Sequence, residues 1–118
     1  MSDTGDAVPE GLVPAEVLAS TGPVAVHAVG RVKPGRDKEF EELIKSVLPL
    51  IREEQGCEQY VVHTDGGEPG VYLIYERFSS GADMVRHLTQ PFMRAYFEEA
   101  GRLLEGRLEA KWLRPLDA

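Results

Sequence analysis

The sequence predicts an α+β fold, a ferredoxin-like β-α-β-β-α-β domain with one antiparallel sheet and both helices on one face. Three observations predict it. Val24 to Val32 alternates like a strand, with Val24, Val26, Ala28 and Val32 on one side and Ala25, His27, Val29 and Arg31 on the other. Apolar residues recur at helical spacing twice, first at Phe40, Leu43, Ile44, Val47, Leu48 and Ile51, then at Phe92, Ala95, Tyr96, Ala100, Leu103 and Leu104. Between those stretches, two strand-like segments flank the turn-rich run Asp65-Gly66-Gly67-Glu68-Pro69-Gly70, which makes them a hairpin.

Residues 1–21 form an N-terminal tail of small, acidic, Pro and Gly residues ahead of a domain spanning 22–118. The tail's apolar grouping, Val13 to Leu18, is too short to stand alone as a helix. Leu12, Val13, Val17 and Leu18 nevertheless give it anchors for packing on the domain or on a neighbouring subunit. Pro34-Gly35 ends the first strand, and Asp37 opens the first helix. Pro49 removes one backbone hydrogen bond and is expected to bend the last turn before Gly56 stops the helix. Cys57 to Thr64 is the second strand. The third opens with Val71-Tyr72-Leu73-Ile74-Tyr75, rich in branched and aromatic residues. The chain then reverses at Ser79-Ser80-Gly81, where Ser80, three residues before Asp83, is placed to cap a short helical turn. A second helical start follows at Thr89-Gln90-Pro91, with proline suited to a first turn. Gly106 stops that helix, and Leu108 to Leu113, carrying Trp112, is the last strand.

Strands one and three are apolar on both sides, so the sheet face away from the helices needs a cover. A second copy of the same sheet supplies it most economically, giving a homodimer of the dimeric α+β barrel type.

The formal net charge of -7 and pI near 4.9 exclude nucleic acid as an expected partner and disfavour an anionic membrane surface. No uninterrupted apolar run approaches a membrane span, and the first ten residues hold two Asp and one Glu but no Lys or Arg, the reverse of a secretory leader. The expected location is the cytoplasm. Cys57, the only cysteine, excludes an intramolecular disulfide and is expected to be a reduced, buried thiol. The sequence has no H-E-x-x-H, no paired cysteines, no G-x-S-x-G and no phosphate loop, so no metal site is expected. Gly66, Gly67 and Gly70 sit in a hairpin connector, where they cannot form a dinucleotide-binding turn.

The segments VKPGRDKEFEELIKSVLPLIREEQGCEQY, VYLIYERFSS and RHLTQPF together resemble the antibiotic-biosynthesis monooxygenase family of small dimeric α+β barrels, over about residues 24 to 113. The markers are Pro34-Gly35, Phe40, Pro49, Glu54 with Gly56-Cys57, Tyr60, Tyr75-Glu76-Arg77 and His87. The resemblance implies oxidation of electron-rich phenols, quinols or aromatic polyketides by O2. It implies no bound cofactor, or else use of free reduced flavin (FADH2 or FMNH2). Two departures count against direct transfer of the family's machinery: Phe78 and Phe92 stand where many members have Trp and a second His, and the chain has no asparagine. Haem degradation, which in similar enzymes leans on an Asn and a Trp, is therefore not expected.

A reduced aromatic can pass electrons to oxygen once it is deprotonated, so the protein must supply a base, an apolar slot and donors for oxyanions. His87 is the first candidate base, because imidazole titrates near neutrality. Its structural alternative is a helix histidine bonded to Glu76, tying helix to strand. His27, on the first strand, is the second candidate and would join a pocket wall with Ala25, Val29 and Arg31 if that face meets the helices. His63 is expected to be solvated. Tyr60, Tyr72, Phe78, Phe92, Tyr96 and Trp112 offer stacking surfaces for a planar polycycle, against the alternative that they are simply core. Arg77 is a candidate holder of an enolate or phenolate. Glu41-Glu42 and Glu98-Glu99 are assigned to solubility alone. The expected function is a small monooxygenase of aromatic polyketide tailoring, acting on a small aromatic substrate. Two alternatives stand beside it: a non-oxidative polyketide cyclase, and a non-catalytic dimeric binding or stress protein.

Overall fold

The computed structural model describes residues 13–116. Four strands, β1 (Val24–Arg31), β2 (Cys57–Thr64), β3 (Val71–Phe78) and β4 (Glu109–Leu113), form one sheet in the order β2-β3-β1-β4, with every neighbouring pair antiparallel. The helices are α1 (Ala15–Leu18), α2 (Asp37–Arg52), α3 (Gly81–Leu88) and α4 (Pro91–Leu103). This is the ferredoxin-like α+β arrangement that the periodicity predicts. None of the helices among the described residues is long and apolar enough to cross a membrane.

Register decides which strand residues meet the helices. Glu76 pairs with Val26 on one side and Tyr60 on the other, and Val26 pairs in turn with Trp112. Because directly opposed residues project to the same face, Tyr60, Glu76, Val26 and Trp112 form one row across the sheet. The adjacent row, Val61, Tyr75, His27 and Lys111, projects to the other face. A main core of Phe40, Ile44, Ile51, Tyr60, Tyr72, Ile74, Met93 and Tyr96, among others, fills the space between the sheet and helices α2 and α4. A smaller cluster, Val24, Val26, Phe78 and Met84, lies under α3, with Trp112, Leu88 and Val17 packed against it.

Several boundaries follow local chemistry closely. Ser80 caps α3 by accepting the backbone N–H of Asp83 at 3.1 Å, and Pro91 occupies the first turn of α4. Helix α2 runs through Pro49 to Arg52, and Gly56, at φ 88°, makes the turn into β2. A residue with a side chain would be strained there twice over, since a Cβ on Gly56 would lie 2.3 Å from the Asp83 carboxyl of α3. The last strand begins one residue later than expected, at Glu109.

The tail shows tertiary contact overriding a local length limit. Residues 15–18 make a single helical turn, α1, which has no side-chain cap. It survives because Val13 is buried, Val17 packs on the small cluster, and Ser20 accepts the backbone N–H of Gly81 at 2.9 Å. Leu12, expected among the anchors, lies outside the described residues.

Candidate functional site

Helix α3 turns Gly81, Met84 and His87, three residues apart in succession, toward the sheet. His87 is thereby almost fully enclosed, 1% exposed. Its Nδ1 lies 2.7 Å from Oε1 of Glu54, and its Nε2 lies 3.5 Å from Oε1 of Glu76. The imidazole also stacks against Phe78, with ring centroids 4.8 Å apart and planes tilted by 32°, and meets the Tyr60 ring at 5.7 Å. Two buried carboxylates thus clamp one buried imidazole between aromatic walls.

The electrostatics follow from the enclosure. Burial pushes the Glu76 carboxyl up to about 7; His87 pulls against that shift and Glu54 adds to it. Burial likewise raises the hydroxyls of Tyr60 and Tyr96, with the Glu76 charge adding to both, so both stay protonated as donors. Cys57 is half-buried, and its thiol is pushed up to about 11 by burial and then by the nearby charges of Glu54 and Glu76, which makes it a poor nucleophile. Among the described residues, Glu54 Oε2 and Tyr96 Oη are buried polar atoms that find no hydrogen-bond partner. Leaving such an atom unpaired costs about 1–3 kcal/mol. No group of three His, Cys, Asp or Glu side chains among the described residues is arranged to hold a metal ion.

The structure sorts the residues marked from sequence into three places. His87, Glu76, Tyr60 and Phe78 converge, with Tyr96 nearby through its coupling to Glu76. Tyr72 is core rather than part of this group: it packs on Phe40 at 4.9 Å, and its hydroxyl donates to Glu41 at 2.6 Å and approaches Asp37 at 3.3 Å. Glu41, assigned to solubility from sequence, therefore ties α2 to β3. Phe92 is partly buried against the main core, while Trp112 packs against the small cluster. His27 and Arg77 lie on the opposite sheet face. The condition attached to His27, that its face meets the helices, is not met: it pairs with Tyr75 and Lys111, away from α3. Arg77 donates to Glu58 at 2.7 Å on that same face, which removes it from the neighbourhood of His87.

From sequence, Glu76 is the expected partner of His87 and Glu54 is a family marker only. The shorter bond goes to Glu54. The signal was present in Glu54-x-Gly56-Cys57: the positive-φ glycine lets the end of α2 approach α3, which carries Glu54 to the imidazole. Arg52 reinforces this corner by donating from Nε and Nη2 to the Tyr60 carbonyl at 3.2 and 2.9 Å, beside the irregular register at Cys57 and Gln59. A shallow concavity of about 350 Å³ lies here, lined by Arg52, Cys57, Glu58, Gln59, Tyr60 and Val61.

Known proteins share this frame. The sequence pattern of the antibiotic biosynthesis monooxygenase family matches residues 23–99. Rv0793 of Mycobacterium tuberculosis, provisionally named a monooxygenase, is 30% identical over 99 residues, covering 82% of this chain and 95% of its own. The solved structure of Rv0793 superposes with a TM-score of 0.76 at 27% identity, covering 81% of this chain and 97% of that one. A Caulobacter crescentus CB15 protein provisionally assigned to the same family has a TM-score of 0.81 at 24% identity, covering 86% and 97%, and so shows the fold alone. On the sequence match and the fold together, this chain belongs to the antibiotic biosynthesis monooxygenase family.

Proposed function

We propose that the protein is a small monooxygenase that oxidises a polycyclic aromatic or quinol-type substrate with O2 without a bound cofactor, as a tailoring step on an aromatic polyketide. The observation that supports this most is the buried imidazole clamped between Glu54 and Glu76. With Glu54 accepting the Nδ1–H, the imidazole keeps Nε2 as its proton acceptor, the arrangement an oriented general base requires. An anthrone-type substrate then needs no outside reductant: its CH2 and one O2 give C=O and one water, the substrate supplying the electrons. The active form in this reading is a homodimer. Its support is the outer sheet face, where Val29, Leu73 and Tyr75 are only partly covered and Val61 is 38% exposed within one protomer.

Oxygen uptake with anthrone and with menadiol, each with and without free reduced flavin, tests the reading. Uptake matched to product without flavin is expected, and product formed under strict anaerobiosis would overturn it in favour of a cyclase. The enclosure of His87 favours a second reading, in which the clamp only ties helix to strand and the protein binds without reacting. In that case neither substrate consumes oxygen above the uncatalysed rate.

A further inference from the structure

His87 is 1% exposed, so any aromatic that reaches it must displace something. The elements around it are not equally secured. Strands β2 and β3 are held in the sheet by their pairing, and α2 and α4 by the main core. The segment 13–20 is held more thinly. It has one helical turn without a side-chain cap, one backbone bond from Gly81 to Ser20, and Val13 and Val17 as its inward apolar side chains. It precedes the 23–99 span that the family pattern matches. Val17 plugs the small cluster of Val24, Val26, Phe78 and Met84, beside Trp112. A small cavity of about 40 Å³ lies beside Val17, between the strap and the end of β4, lined by Glu16, Val17, Ser20, Val24, Leu113 and Arg114. Phe78 belongs to this cluster and also stacks on His87.

We infer that residues 13–20 are a gate, and that lifting Val17 opens a crevice between α3, β1 and β4 in which a planar phenol lies between Phe78 and Trp112, one ring away from His87. This names the entry route for the substrate class proposed above and rests on that reading, but it concerns binding and stands or falls separately from oxidation. Gly81 is the seat of the gate. A Cβ there would lie 2.2 Å from the Val17 carbonyl oxygen and 2.5 Å from that of Leu18, so only glycine lets the strap close on α3.

The test uses 2-naphthol on the full chain, with the fluorescence of Trp112, the sole tryptophan, as one readout and amide exchange of residues 15–20 as the other. In the wild type, 2-naphthol is expected to quench Trp112 and to speed exchange in the strap. Gly81→Ala, which cannot seat the strap, is expected to bind about tenfold more tightly, because no closed population has to be opened first. Val17→Ser, which loosens the plug without touching Gly81, carries the same comparison should Gly81→Ala fold poorly. Equal affinity in wild type and in a variant whose strap amides exchange freely overturns the gate, as does quenching with the strap fully protected, or no quenching at all. Binding that follows the strap while no oxygen is consumed keeps the gate and removes the oxidation. Oxygen consumption that is indifferent to the strap does the reverse.

Discussion

His27 and His87 belong to the same domain and differ mainly in which side of one sheet they occupy. His87 sits on the helix side, closed in by Phe78, Tyr60 and two carboxylates. His27 sits on the outer side between Tyr75 and Lys111, partly exposed. The same imidazole is therefore a buried, carboxylate-clamped group in one place and a partly exposed strand side chain in the other. The carboxylates differ in the same way: Glu76 is pushed up to about 7 by its burial, whereas Glu58 on the outer face simply pairs with Arg77. Placement relative to the sheet, rather than residue type, makes the candidate site.

The largest contrast should come from alanine at each histidine. His87→Ala strands the Glu54 carboxylate in the interior and is expected to cost on the order of 3 kcal/mol, against less than about 0.5 kcal/mol for His27→Ala. If His87 is also the base, turnover per folded molecule should fall roughly 10²–10⁴-fold and recover in part with added imidazole. Melting curves and turnover on the same samples separate the two losses. A His87→Ala protein that melts far lower yet turns over normally once folded would make the clamp purely structural.

The outer face can be broken independently. Leu73→Lys places a charge beside Val29 and His63 in the row that a second sheet would cover. Sedimentation equilibrium should show a dimer for the wild type and a folded monomer for this variant, because burying an unpaired ammonium costs more than the interface can supply. A wild-type monomer at micromolar concentration would remove the dimer from the proposal.

A smaller effect should separate the two carboxylates of the clamp. Since the folded-state value of Glu76 lies above its ordinary 4.5, the folded protein holds a proton there that the unfolded chain has released. That contribution to stability is complete below about pH 4.5 and is lost as pH rises toward 7, with a slope of at most about 1.4 kcal/mol per pH unit. Glu76→Gln should flatten this decline while leaving the low-pH stability near that of the wild type. Denaturant midpoints at pH 5 and 7.5 measure it, and an unchanged slope in the variant would place the titration elsewhere.

The sequence by itself determined the elements and their order. Alternation at Val24–Val32, helical spacing in 37–52 and 91–104, the Ser80 cap and the Pro91 start are all written in residues that act within a turn or two of themselves, so local rules could read them. It also singled out Tyr60, Glu76, Phe78 and His87, which the fold does bring together. Only the tertiary structure decided that His27 and Arg77 face away from them, because a strand offers two equivalent sides and only packing against α3 and α4 chooses which one is inside. It alone made Glu54 the closer partner of His87, through the approach of Gly56 to Asp83 across 27 positions of sequence, and gave Glu41 to Tyr72. The one-turn helix at 15–18 was hidden for the same reason: its stability comes from Val17 and Gly81 meeting in space, and no window of sequence contains both the strap and its seat.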